Sequence, residues 1–239
     1  MKIQFITFIT CFFIAFSPLV KAETFTITSM EGSMYTELNE RIMREAYRRI
    51  GIDIIIEKYP AKRALKISNS GQVDGELFRI ANLNKKWKNL FVVPTPIAYL
   101  EGKVYSKKVD FKISGWDSLK PYRIGIKSGI LHALRGTQGM NRQIVDTNAQ
   151  LFHILKKDRV DIIVLAYFNA IKELNKIDFP DIKLLKPSIF LLPVYHYLHK
   201  KHQVLIPKLD KAIKEMTKEG LIKKYRDQYV TELYLGTNE

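Results

Sequence analysis

An alternation of hydrophobic period restricts the fold most: segments that repeat every two residues are followed, several times over, by segments that repeat every 3.6. "ETFTITS" sets Thr24, Thr26 and Thr28 against Phe25 and Ile27, the pattern of a half-buried strand. In "MYTELNERIMREAYRRIG" the apolar residues Tyr35, Leu38, Ile42, Met43, Ala46, Tyr47 and Ile50 form one helical stripe, which Gly51 is placed to end. "DIIIEKY" is a second strand, and its three consecutive isoleucines predict burial on both faces. Buried strands joined through helices predict a parallel sheet.

The pattern continues along the chain. "PAKRALKIS" is a short helix opened by Pro60, "VDGELF" a strand, "LNKKWKN" a polar turn and "LFVVPTPI" a strand closed by Pro94 and Pro96. After the turn-rich "DFKISGWDSLKPY", a second α/β unit begins with "RIGIKSGILHAL". It goes on through "TNAQLFHILKKDRVDIIVLAY", a capped helix delivering the strand Ile162 to Leu165. "LLPVYHYLHKKH" is extended, and "PKLDKAIKEMTKEGLIKKYRDQYV" is an amphipathic helix broken at Gly220. No stretch rich in Gly, Ser and Pro separates the two units. Two lobes in contact are expected, with a ligand site in the cleft between them.

The first residues, "MKIQFITFITCFFIAFSPLVKA", carry a basic start at Lys2, an apolar run from Ile3 to Phe16, and Val20-Lys21-Ala22 at the cleavage positions. They predict a signal peptide over 1–22, removed after Ala22, and a periplasmic product. The apolar run is shorter than a membrane span requires. Cys11, the sole cysteine of the sequence, lies inside this segment. The exported chain therefore has no thiol for a disulfide, a metal site or a nucleophile. The formal charge of +15 falls to +13 once Lys2 and Lys21 are removed. Such a surface attracts anionic partners, or simply keeps the chain soluble.

One cation stands out. In "GQVDGELFRI" the alternation places Arg79 at a core position, where an unpaired guanidinium is costly. Arg79 must reach solvent, pair with an acid such as Glu76 or Glu31, or meet an anionic ligand.

"YPAKRALKISNSGQVDGELF", "GWDSLKPYRIGIKSG", "LKKDRVDIIVL" and "MTKEGLIKKYRDQY" stand in an order and spacing that resembles the family 3 extracellular solute-binding proteins, the amino-acid-binding components of bacterial ABC importers. The resemblance covers the whole exported chain. It implies an α/β periplasmic binding protein type II fold, two-lobed, with a mostly parallel sheet in each lobe and two crossover strands. Lobe 1 would hold residues 23–98 and 198–239, lobe 2 residues 103–193, and the hinge residues 99–102 and 194–197. Closure of the lobes on a ligand would be the state a partner reads.

The family's amino-acid clamp does not carry over intact. The arginine that holds the α-carboxylate falls at Lys86, which lacks the bidentate fork. The aspartate expected after the strand that follows "RVD" is replaced where the chain reads Leu165-Ala166-Tyr167. "KSG", residues 127–129, does match, and there Ser128 and Gly129 precede a helix whose amides could hold an anion. The candidate ligand residues are accordingly Arg79, Ser128 and Gly129, with Arg63 as a second cation and Glu31 as a substitute for the missing aspartate. Tyr35 and Tyr167 are candidate lid aromatics, with Tyr99 and Trp116 beside them. For each of the four aromatics core packing is the competing role.

His196, His199 and His202 recur every third residue, which on an extended chain does not converge on a metal, so no metal and no cofactor are expected. No Gly-x-Ser-x-Gly elbow, phosphate loop, HExxH or Gly-x-Gly-x-x-Gly occurs, and no enzyme is expected. The expected function is capture of a small carboxylate-bearing solute, an amino acid or relative, by a monomer serving an inner-membrane ABC permease or a sensor. Nucleic acid is not an expected partner, since no basic stretch is interleaved with aromatics. Two alternatives differ in class: an envelope-polymer binder with an idle cleft, and a dehydratase-like enzyme acting through Glu31 or Glu76.

Overall fold

A computed structural model describes residues 23–236. The signal-peptide expectation lies outside the described residues. Parallel strands build each half of the molecule: β1 (Glu23–Met30) pairs with β2 (Ile52–Tyr59) and β3 (Gly75–Ile80). Likewise β6 (Ile124–Lys127) pairs with β7 (Arg142–Val145) and β8 (Ile162–Ala166). Two antiparallel strands join the halves, β5 (Ala98–Ser106) and β9 (Lys183–His199). One continuous sheet results, ordered β2-β1-β3-β9-β5-β8-β6-β7, with β4 (Leu90–Val92) paired to β9. The 17 residues of β9 can run through both halves because an extended chain advances about 3.3 Å per residue.

Helix α1 (Thr36–Arg48) buries Leu38, Ile42, Met43, Ala46 and Tyr47 against the first half of the sheet. Full burial of a large apolar side chain stabilises by about 1.5–3 kcal/mol, so this stripe fixes the helix more firmly than its propensity does. Its polar face is laced with ion pairs: Arg41 to Glu37 and Glu232, Arg44 to Glu40, Arg48 to Glu45, and Arg49 to Glu45 and Glu219. The other elements of this half are α2 (Ala61–Ser70) and the C-terminal pair α6 (Ile206–Lys218) and α7 (Leu221–Leu235). Gly220, at φ +72°, makes the break between α6 and α7, in a left-handed conformation that glycine adopts without strain.

The second half carries α3 (Leu131–Gly136), α4 (Asn148–Lys156) and α5 (Tyr167–Leu174). Its helices cover opposite sheet faces, with Ala133 of α3 packed among Val104, Ile124, Ile126 and Val164, and Leu151 and Phe152 of α4 among Tyr105, Ile163 and Leu165. Phe168 and Ile171 of α5 enter the core of the first half beside Tyr35 and Tyr229. Asn175, just past α5, donates through its amide to the carbonyls of Leu233 and Tyr234 in α7. The halves are thus braced behind the crossing strands.

Burial on both faces of β2 is corrected by the sheet order. β2 is an edge strand with α1 packed on it, so Ile54 is buried while Ile55 is 53% exposed. Strand β7, helix α5 and the first eight residues of β9 are elements that the sequence pattern did not announce.

Candidate functional site

The carboxyl ends of parallel strands in a doubly covered sheet are where side chains and loops can converge on a ligand. Here a cavity of about 160 Å³ lies at those ends: Gly32 and Ser33 follow β1, Ile130 follows β6, and Ala166 ends β8. Leu100 of β5 and Phe190 of β9 close it along the crossing strands. Both halves and both crossing strands therefore contribute to one partly open space. A larger apolar cavity, about 300 Å³, lies between α1, the α6–α7 turn and residues 95–99. Among the described residues its one contribution from the second half is Phe168, and it opens to the surface beside Tyr99, Lys223 and Arg226, so it is a groove of the first half and does not lie between the halves.

Arg79 finds an internal partner. Glu76 pairs with Tyr197 and Arg79 with Tyr195, so β3 carries one residue more than β9 over this interval. This β-bulge sends Leu77 and Phe78 into the same core and returns Arg79 to the face of Glu76. The Arg79 Nε and Nη2 groups lie 2.7 Å from Glu76 Oε1, and Nη2 also donates to the Ala61 carbonyl at 3.1 Å. Glu76 Oε2 accepts from the Thr28 hydroxyl at 2.6 Å and the Ser68 hydroxyl at 3.1 Å. The Glu76 side chain has no exposure and that of Arg79 has 10%. Burial raises the Glu76 pKa, against the lowering pull of Arg79 and the two hydroxyls.

Comparison with known proteins agrees with this architecture. No protein-family model matches the chain. An uncharacterized protein of Shewanella oneidensis is 30% identical over 233 residues, with 90% of this chain and 87% of that protein covered. The probable ABC transporter extracellular-binding protein YckB of Bacillus subtilis is 26% identical over 211 residues, covering 84% of this chain and 72% of YckB. The YckB crystal structure superposes with a TM-score of 0.69 at 20% identity, covering 87% of this chain and 90% of that one. The probable amino-acid ABC transporter extracellular-binding protein ytmK of B. subtilis also gives 0.69, at 17% identity, covering 88% and 99%. The chain forms one family with the Shewanella protein. Its fold is the family 3 solute-binding fold.

Within that fold, the residues expected to bind a ligand are distributed unevenly. Lys86, at the position of the family's carboxylate arginine, is exposed beyond β3, its Nζ 6.0 Å from the centre of the Trp87 ring. Ala166 lines the cavity but brings no charge. Ser128 spends its hydroxyl on Asp146 Oδ1 at 3.0 Å, and Gly129 is an exposed turn residue at φ +75°. α3, which follows them, has six residues and no side-chain cap. Arg63 is exposed, its guanidinium 5.3 Å from the Tyr59 ring, and Glu31 is exposed beside the cavity wall.

The aromatics divide similarly. Tyr35 lines the cavity yet is 4% exposed, with its ring 4.5 Å from Phe168 and its hydroxyl accepting from the Glu101 amide at 3.4 Å. Tyr167 opens α5 and lies under Lys103 Nζ at 5.0 Å. Trp116 stacks behind Phe190 at 6.1 Å, and Tyr99 is 47% exposed. Each histidine serves its own contact. His196 bridges the Tyr47 hydroxyl at 2.8 Å and the Leu77 carbonyl at 3.1 Å, and burial pulls its pKa down to about 4. His202 faces Asp74 at 2.7 Å, and His199 accepts from the Lys201 amide. Among the described residues no group of three or more His, Cys, Asp and Glu is placed to hold a metal.

Sequence reasoning missed Ser33, Leu100, Ile130, Asn169 and Phe190, all of which line the cavity. Their positions just after β1, β6 and β8 were a usable signal for Ser33, Ile130 and Asn169. Phe190 had none, since its place depends on a register shift between β5 and β9 near Gly102.

Proposed function

We propose that this protein is a solute-binding protein that holds a small molecule in the cavity between its halves and presents it to a membrane ABC permease or a sensor. The observation that carries this reading is the cavity itself, walled by loops from both halves and by both crossing strands. The moving bodies are lobes of residues 23–98 with the C-terminal helices and of residues 103–193, hinged at 99–102 and 194–197. The bound, closed form is what the partner recognises in the periplasm, and the protein works as a monomer. The likeness to YckB and ytmK, each named a probable extracellular-binding protein of an ABC transporter, supports the transport role. Among the described residues no helix is long and apolar enough to cross a membrane.

The two alternatives gain less support. The arginines of α1 at 41, 44, 48 and 49 are all engaged with acids, which removes the densest basic stripe from a polymer-binding surface. Glu76, one of two carboxylates available for catalysis, is enclosed by Thr28, Ser68 and Arg79 and does not line the cavity. Thermal unfolding against a panel of amino acids, organic acids, small peptides and neutral solutes tests the proposal, because a ligand that binds the folded state alone raises the midpoint. A shift with one chemical class, lost in Asn169→Phe, is the expected result. Failure of every class, with salt-sensitive retention on an anionic polymer, would refute it.

A further inference from the structure

Resting on the solute-binding reading, we infer that the solute is an uncharged molecule of about one ring in size, held by neutral hydrogen bonds, and is not an α-amino acid. Among the described residues, none that lines the interlobe cavity is Asp, Glu, Lys, Arg or His. Its walls are Met34, Leu100, Ile130, Val164 and Phe190, and its polar side chains are the Ser33 hydroxyl, the Asn169 amide and the buried Tyr35. The Asn169 amide has no hydrogen-bond partner among the described residues, although it faces a largely apolar space. The Ser33 oxygen accepts only the Tyr35 amide at 3.3 Å, leaving its proton to give.

Of the charges that could receive a zwitterion, Glu31 and Arg63 are exposed and do not line the cavity, and the others are already committed. Arg79 is held on Glu76 and the Ala61 carbonyl. Lys103 and Arg226 converge on Glu101, at 2.7 and 2.5 Å. Ser128 is bonded to Asp146, a carboxylate that repels an anion approaching the turn before α3. An ammonium or carboxylate group entering this cavity would lose its hydration without gaining an opposite charge, which outweighs what hydrogen bonds alone return. The size agrees: a dry cavity of about 150 Å³ lined by Leu, Ile and Phe takes up benzene, and the present one is about 160 Å³. An amide or hydroxyl on such a ring or branched chain can meet Asn169 and Ser33, each of which both donates and accepts.

The test is calorimetric titration of the purified protein with benzamide, benzyl alcohol and isobutyramide, in parallel with arginine, glutamine, glutamate and phenylalanine. At least one uncharged probe should bind at a single site, and Asn169→Leu should weaken it about tenfold, the loss of one neutral hydrogen bond. The double variant Arg79→Met with Glu76→Gln should leave its affinity unchanged. An amino acid that binds and is displaced by Asn169→Phe would overturn this inference while leaving the solute-binding reading intact. No binding by any probe, charged or uncharged, would overturn both.

Discussion

Replacing Arg79 with methionine keeps an unbranched apolar stem but removes the guanidinium and leaves Glu76 without its countercharge. The Glu76 side chain is wholly enclosed and Arg79 is 10% exposed, so water cannot replace the guanidinium. Removing one member of a buried ion pair costs about 3–5 kcal/mol. Glu76 can lessen that loss by taking up a proton, and burial already raises its pKa above the ordinary 4.5 in the intact protein. A carboxyl raised on folding contributes stability that is fully present below about 4.5 and lost as pH rises through the folded value. Without Arg79 the folded value climbs further, so the loss deepens at neutral pH while the acid side is spared. With a urea slope of about 2 kcal/mol/M, the midpoint of Arg79→Met should fall by roughly 1.5–2.5 M at pH 8, and by clearly less at pH 5. Adding Glu76→Gln should restore most of the loss, because the amide still accepts from Thr28 and Ser68 without a charge. A midpoint at pH 8 within about 0.5 M of the parent, or equal losses at the two pH values, would refute the enclosed pair.

His196 acts in the opposite direction. With its pKa pulled from 6.5 to about 4 by burial, it should contribute stability that is present above 6.5 and lost as pH falls through 4, about 3 kcal/mol in all. His196→Gln should flatten that stretch of the stability profile, measured by urea unfolding in steps of pH. Gly75→Ala should cost about 1–3 kcal/mol in chemical denaturation, since the new methyl would lie 2.4 Å from the Tyr197 carbonyl oxygen, a backbone atom of the paired strand. Thr147→Ala removes the hydroxyl that accepts the Gln150 amide at the start of α4 and should cost about 1 kcal/mol. Faster hydrogen exchange confined to the first turn of α4 would mark that loss as local.

Much of the fold was legible in the chain. The stripe from Leu38 to Tyr47, the Thr147 cap and the break at Gly220 each depend on neighbours within a turn or two, so local pattern specifies them. The order of motifs that resembles family 3 likewise pointed to the fold that the superpositions support. β2 was misjudged because three isoleucines look alike to a pattern, whereas exposure depends on whether a helix covers that face, and at the sheet edge α1 packs on β2 while α2 packs mainly on β1.

The candidate site was much less legible. For Arg79 the sequence left open both an anionic ligand and a pair with Glu76 or Glu31, because alternation alone does not decide which way a strand residue points. A single extra residue opposite Tyr195 and Tyr197 reverses that direction and turns Arg79 onto Glu76. Asn169 and Phe190 meet across the cavity although 21 positions separate them, a juxtaposition set by the pairing of β5 with β9. By itself the sequence determined the alternation of strands and helices, the turns and the caps, since these follow from backbone and side-chain preferences acting over a few residues. Which charges are satisfied inside the protein, and so which remain for a ligand, was decided only by the tertiary structure. Electrostatic pairing acts through space between residues that sheet register and bulges bring together.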